Sequence, residues 1–381
     1  QAVLVRIDSA SAGKHCSDMV FAWAANGEVC AVFGLGILLG VVMGFLIKLG
    51  CLRRPQVHLP PRQAARARAE MQLRSLAKAD VPPQLRVGFY FDFAAHPFAH
   101  AELLTSAKDI VEVLGAIHNY AVDWLARAWQ HRRGRVLQDL HSGAKVVGRR
   151  PPVNLPGGEA DGCIVAPDIL IGCCSEPGKS DPDADFGLQL GPRVQVLGGT
   201  FDLRSGGIWL GEGVVVEPGA HITGPAIIGA RTTLRSGTYV RGDVVVGDGV
   251  VLRGELKNSI IMDCAELAHP GYAGDSIVGY KGHFGCQSLT ANLGLFGAEL
   301  VVDVPGPGVT LRVALGRRKV GAVLGDHSQL GCGSVTDPAT FLGPQTHVYP
   351  LSRLSSGFYG PHEIIKNKPA ELGVLSRSKL R

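Results

Sequence analysis

The stretch "LGEGVVVEPGAHITGPAIIGARTTLRSGTYVRGDVVVGDGVVL" occupies residues 210–252 and repeats with a period of six. Leu210, Val216, Ile222, Ile228, Leu234, Val240, Val246 and Leu252 stand six apart, and all are aliphatic. A helix repeats its faces every 3.6 residues and a strand every two, so neither alone makes this pattern. A hexapeptide period is the mark of a parallel β-helix: each six residues lay down one flat side, and three sides close a coil of about 18 residues. The aliphatic residue points into the prism. Gly and Asn or Asp take the corners, where positive φ is needed.

Outward from this stretch the beat slips and then returns. Val278 and Phe284 restore it, as do Leu324, Leu330, Leu342 and Val348, with Thr336 in the intervening slot. The slip falls in "ELKNSIIMDCAELAHPGYAGDS", residues 255–276, where a lysine, an asparagine, a histidine and a tyrosine arrive together. Residues 293–318 carry no beat and are expected to form a protruding loop or hairpin. Upstream, Ile110, Val113, Leu114, Ile117, Ala121, Trp124, Leu125 and Ala128 recur at three- and four-residue steps, which predicts a helix over residues 107–130.

Bulk properties agree. The chain has 381 residues, 46% of them hydrophobic, enough for more than one buried core. Its 51 glycines and 6% aromatics suit tight repeated turns. A net charge of only +5 argues against nucleic acid as the default partner. Nine cysteines without C-x-x-C spacing read as reduced thiols.

Residues 29–47 hold no charged side chain, and roughly 20 apolar residues cross a bilayer. Lys48, Arg53, Arg54, Arg62, Arg66, Arg68, Arg74 and Lys78 follow. The expectation is a single transmembrane helix over 29–47 with the downstream chain on the cytosolic side. Gly36, Gly40 and Gly44, four apart, would permit close helix packing there. The alternatives are a buried Gly-rich helix, or the apolar part of a targeting signal whose removal leaves the protein soluble in an organelle. Pro60-Pro61 and Pro82-Pro83 bracket an Ala/Arg-rich segment expected as a surface helix.

The expected organisation is therefore an N-terminal segment (1–28), the transmembrane helix (29–47) and a basic juxtamembrane region (48–87). A helical lead-in (88–150), a linker and loop (151–189), the β-helix (190–365) and a basic tail (366–381) complete it.

The repeat stretch, together with "AHPGYAGDSIVGYKGHFGCQSLTANL" (residues 268–293) and "GRRKVGAVLGDHSQLGCGSVTDPATFLGPQTHVYP" (316–350), resembles the left-handed β-helix of sugar-nucleotide pathway enzymes. It is most similar in kind to the acetyltransferase domain of the bacterial bifunctional glucosamine-1-phosphate acetyltransferase/N-acetylglucosamine-1-phosphate uridylyltransferase. The Gly-rich loop of that enzyme's nucleotidyltransferase domain has no counterpart here, so uridylyl transfer is not expected of this chain. The resemblance implies a homotrimer with sites between subunits, and acetyl-CoA or another acyl-CoA as co-substrate. The implied acceptor is a sugar phosphate or sugar nucleotide.

Carried over on the matching positions, it implies His269 as the base and Lys257 as a phosphate contact. Tyr272 falls on the motif's tyrosine, and Asn292 on an asparagine lining the sugar and acetyl-CoA site. Arg241 and Arg235 are the arginines nearest the family's phosphate-binding one. Leu293-Gly294 follow Asn292, and the lysine that the family carries shortly afterwards is missing. For each residue a plain role stays open: a turn histidine, a solvated lysine, a packing tyrosine, a corner asparagine. A zinc prism would need a histidine pair spaced H-x4-H. His221, His269, His283 and His327 do not supply one, so no metal is expected. Two functions remain: an acyltransferase, or a non-catalytic β-helix that scaffolds or regulates a sugar-nucleotide pyrophosphorylase.

Overall fold

The computed structural model describes residues 22–25, 28–31, 70–131, 135–136, 145–147, 153–155, 163–166, 169–172, 187–306, 308–367 and 375–379. The chain divides into two units, 1–67 and 68–381. In the first, Ala22–Ala25 pairs antiparallel with Glu28–Ala31. This corrects the expected transmembrane helix over 29–47, because its first three residues are strand, and residues 32–47 lie outside the described residues. Among the described residues no helix is long and apolar enough to cross a membrane. The membrane-anchored location inferred from that helix falls with it. An apolar run alone does not choose between helix and strand, and here three of its residues find a partner strand.

The second unit is a three-sided parallel β-solenoid. Its sheets hold 11, 10 and 11 strands, each beside its counterpart from the neighbouring coil except for one antiparallel strand at an end of the first and of the third sheet. The first sheet runs from Ile164–Val165 to Leu375–Lys379, the second from Lys145–Val147 to Arg353–Leu354, and the third from Arg135–Val136 to Gly357–Tyr359. All eight aliphatic residues of the beat lie in one buried core down the axis. The solenoid starts earlier than the beat. The stretch expected as linker and loop contains Val153–Leu155, Ile164–Val165 and Leu170–Gly172, each paired to the next coil. At the far end Leu375–Lys379, expected as tail, folds back antiparallel onto Glu363–Asn367.

The slip has a structural cause. Val215, Thr233 and Val251 stack one above another in coils of equal length. Val251 then pairs with Glu266, and Glu266 with His283, so both of these coils are shorter than the ones before them. Between the second and third sheets the regular corner holds Gly242 and Asp243, at φ 88° and 57°. In the next coil Asn258 alone makes that corner, at φ 47°. Asn and Asp tolerate this left-handed geometry better than most side chains.

From Leu188–Leu190 to Thr340–Leu342 the third sheet is buried on both faces. Its strands read "AII", "VVV", "SII", "AVL" and "TFL". Such strands lose the in-out alternation of a half-exposed sheet. The outward residues Trp209, Ile227, Val245, Ile260, Ile277, Val323 and Phe341 form a second core with the lead-in. The lead-in contributes helix α1 (Ala101–Thr105) and helix α2 (Ile110–His131), which places Ile110, Leu114, Ile117, Ala121 and Leu125 against the sheet.

Before α1, residues 70–89 form a short strand and four 3₁₀ turns; the described part of the segment expected as a surface helix, 70–81, is strand and 3₁₀ turn instead. The strand Glu70–Gln72 joins the hairpin Val301–Pro305/Thr310–Ala314, the beatless excursion, along its second strand. Leu73, Val81 and Leu85 are buried beneath this clasp.

His100 sits in the seam between lead-in and solenoid. Its Nδ1 lies 2.8 Å from the Tyr120 hydroxyl, and Trp124 touches both its ring and Trp209. Burial lowers its pKa from 6.5 to about 4, against an opposing pull from Asp248. The unfolded chain therefore takes up the proton first. The stabilisation is complete above pH 6.5 and is lost progressively as the pH falls toward 4. Urea denaturation followed by Trp fluorescence should show a loss on the order of 3 kcal/mol across that window. His100→Phe should flatten that part of the pH dependence.

Candidate active site

At the corner where the coils shorten, three polar side chains stack in successive coils. Asn258 donates to Asp275 Oδ1 at 2.7 Å, and Asn292 donates to Asp275 Oδ2 at 2.6 Å. Asp275 is 6% exposed and sits at φ 46°, so its carboxylate is fixed by the corner and by both amides. Asn292 Nδ2 also lies 3.1 Å from the Tyr272 hydroxyl. The phenol accepts there, and its own proton stays available. Its pKa is raised, first by burial and then by the charges of Asp275 and Glu255, so it remains a donor at neutral pH. Gly274 makes this possible: a Cβ there would run into the Tyr272 hydroxyl and come within 2.8 Å of Asn292 Nδ2.

These residues line a cleft of about 360 Å³ between the solenoid corner and α2. Leu114 and Gly115 form the helix wall, and Arg241, Asp243, Lys257, Arg317 and Lys319 supply the charges. Two of the cations are engaged. Arg241 meets Glu255 at 2.6 Å, a bond that raises its already high pKa, and Lys257 Nζ lies 3.5 Å from Asp243 Oδ2. Arg317 and Lys319 have no acidic partner among the described residues. The Arg317 guanidinium lies across α2 at Gly115, where a Cβ would approach Nη1 to 2.6 Å. Beside the cleft, His118 Nδ1 meets Asp243 Oδ1 at 2.6 Å.

Of the six residues singled out from the sequence, Lys257, Tyr272, Asn292 and Arg241 meet in this cleft. His269 and Arg235 do not line it. His269 is exposed and without a hydrogen-bond partner among the described residues, and Arg235 Nη1 bonds the carbonyl of Ala268 at 3.2 Å. Both lie near the start of the Tyr272–Gly274 strand, whereas the cleft lies past its end.

Sequence reading missed Arg317 and Lys319. The excursion leaves the solenoid at Asn292 and re-enters at Val320, whose N–H donates to the Asn292 carbonyl at 3.0 Å. Lys319 forms a β-bridge with Leu293. The lysine sought shortly after Asn292 is thus absent in sequence, while a lysine stands next to that point in space. The resumption of the beat at Leu324 was the usable signal, since it fixes where the chain must return.

A sequence model described as bacterial transferase hexapeptide (six repeats) matches residues 207–242. The bifunctional sugar-1-phosphate nucleotidylyltransferase/acetyltransferase of Sulfurisphaera tokodaii is 31% identical over 155 residues, covering 35% of this chain and 38% of that protein. The bifunctional protein GlmU of Stenotrophomonas maltophilia is 32% identical over 212 residues, 53% of this chain and 41% of that one. Its counterpart in Methanococcus vannielii is 36% identical over 106 residues, 28% and 23%. The matches span less than half the length of these relatives. The chain is a hexapeptide-repeat protein resembling the acetyltransferase part of the bifunctional enzymes.

Asp275→Ala should lower stability by about 1.5–3 kcal/mol for each amide left without its charged acceptor. The drop in thermal midpoint of the full chain measures it, and an unchanged midpoint would mean that the corner holds without the ladder.

Proposed function

We propose that the chain is an acyltransferase that moves an acyl group, most simply acetyl, from acyl-CoA to the amine of an amino-sugar phosphate or sugar nucleotide. The observation that carries this reading is the cleft itself. Two cations without acidic partners among the described residues, Arg317 and Lys319, stand beside Lys257 and a Tyr272 hydroxyl fixed by Asn292. Arginine offers a planar fork to a phosphate and lysine a point charge. A cleft with both holds the acceptor's phosphate. The Asn292 amide gives its two N–H groups to Asp275 Oδ2 and to the Tyr272 oxygen, so the Tyr272 hydroxyl is the donor held in place before substrate arrives. That is what a developing oxyanion or a sugar hydroxyl needs.

In this reading Arg241 and Lys257, each paired with a carboxylate, shape the cleft more than they charge it. The family resemblance adds acetyl-CoA as donor and a homotrimer as the assembly.

Full-length protein incubated with acetyl-CoA and glucosamine-1-phosphate should release free coenzyme A. Arg317→Ala and Lys319→Ala should each raise KM for the sugar phosphate about tenfold or more, at the cost of one charge-assisted contact, and change kcat less. Absence of turnover, together with absence of acetyl-CoA binding by calorimetry, would sink the reading. It would leave the scaffold or regulatory role.

A further inference from the structure

The reaction needs a group that removes a proton from the acceptor's ammonium, and on the solenoid wall of the cleft no histidine is present among the described residues. Helix α2 carries one beside the Leu114–Gly115 wall. His118 lies three and four positions after Gly115 and Leu114, which puts it on the face of α2 that borders the cleft. Its Nδ1 is 2.6 Å from Asp243 Oδ1, and Asp243 itself lines the cleft from a corner position at φ 57°. The other oxygen of Asp243 faces Lys257 Nζ at 3.5 Å. A carboxylate that accepts from Nδ1–H fixes the tautomer in which Nε2 keeps its lone pair. Nε2 has no partner among the described residues, and the side chain is 56% exposed, open to an incoming ligand.

We infer that His118, held by Asp243, is the general base of this cleft. The assignment rests on the acyltransferase reading above. His118 Nε2 takes one proton from the ammonium of the amino sugar, and the freed amine attacks the carbonyl carbon of the thioester. The C–N bond forms, the tetrahedral adduct collapses and the C–S bond breaks. The second proton lost by nitrogen leaves with sulfur as the coenzyme A thiol, and the imidazolium returns its proton to solvent. The base therefore comes from the lead-in helix of the same chain. His269, borne by the solenoid, is not required for this step.

A competing account is mechanical: the His118–Asp243 pair ties α2 to the corner and nothing more. His118→Gln separates the two, because glutamine keeps a donor for Asp243 and loses the base. With acetyl-CoA and glucosamine-1-phosphate, His118→Gln and His118→Ala should both lower kcat by about 10²–10⁴-fold. Added imidazole should restore part of the activity of His118→Ala. Asp243→Asn should lower kcat by itself and add nothing in the His118→Ala background, as members of one unit do. A folded His118→Gln protein with wild-type turnover would overturn the inference, as would an Ala variant that imidazole does not restore. Loss confined to His269→Ala would also overturn it and move the base to the solenoid. If the wild-type protein shows no turnover, the acyltransferase reading fails first and the base assignment with it. Turnover in the wild type with intact His118 variants sinks only the base.

Discussion

Backbone against backbone at the corners is the contact on which the rest of this molecule depends. Each coil must lie directly over the previous one, so the residues that turn a corner have almost no room beside the chain. A Cβ at Gly229 would strike the carbonyl group of Gly247 in the next coil, and a Cβ at Gly211 would come within 2.8 Å of the Ala230 nitrogen. The inner aliphatic residues then stack in register. Their burial supplies the driving force, at about 25 cal/mol per Å² of apolar surface removed from water. The glycine corners and the aliphatic beat are two sides of one requirement. Coils that cannot approach cannot share a core.

Where that requirement is relaxed, chemistry gathers. The shortened coils keep their inward residues, Leu256, Ile261, Leu267 and Ala273, fully in the core. What they give up is corner. With Asn258 and Asp275 at the turn, polar side chains replace the glycine stack and bond to each other along the edge. This edge faces α2, and α2 is held there by the apolar outer face of the third sheet. The cleft thus needs a shortened coil, a doubly buried sheet to dock the helix, and an excursion that brings two cations back to the same point.

These three contributions were unequally visible in the sequence. Leu210 to Leu252 announce the solenoid, because a buried residue at every sixth position leaves a mark that substitution elsewhere does not blur. Lys257, Tyr272 and Asn292 were legible because they lie close to the slip in that mark. The early strands were not. Lys145–Val147 and Leu170–Gly172 carry too few aliphatic residues in step, and their place is set by pairing with later coils. Arg317, Lys319 and His118 were hidden for a different reason. They belong to segments distant along the chain from Lys257, Asn292 and Asp243, and only the closing of the excursion and the docking of α2 bring them in. Residues 29–47 misled because apolar length is a property shared by membrane helices and by chain that finds a partner strand.

The bond between Val320 and Asn292 reaches further than closing a loop. Departure and return are stitched together by that bond and the Leu293–Lys319 bridge, so the coils keep their register whatever the length of the turn between them. Val302, Val304 and Val313 tie the hairpin's strands into the second core, whereas Gly306, Gly308 and Val309 at its turn are exposed, and the turn is the exchangeable part. Its length and charge can change while the register of the coils on either side stays fixed. In the acyltransferase reading, the cations offered to the acceptor stand where the excursion returns beside Asn292, outside the aliphatic stack, so a different acceptor could be met there without a change inside the coils.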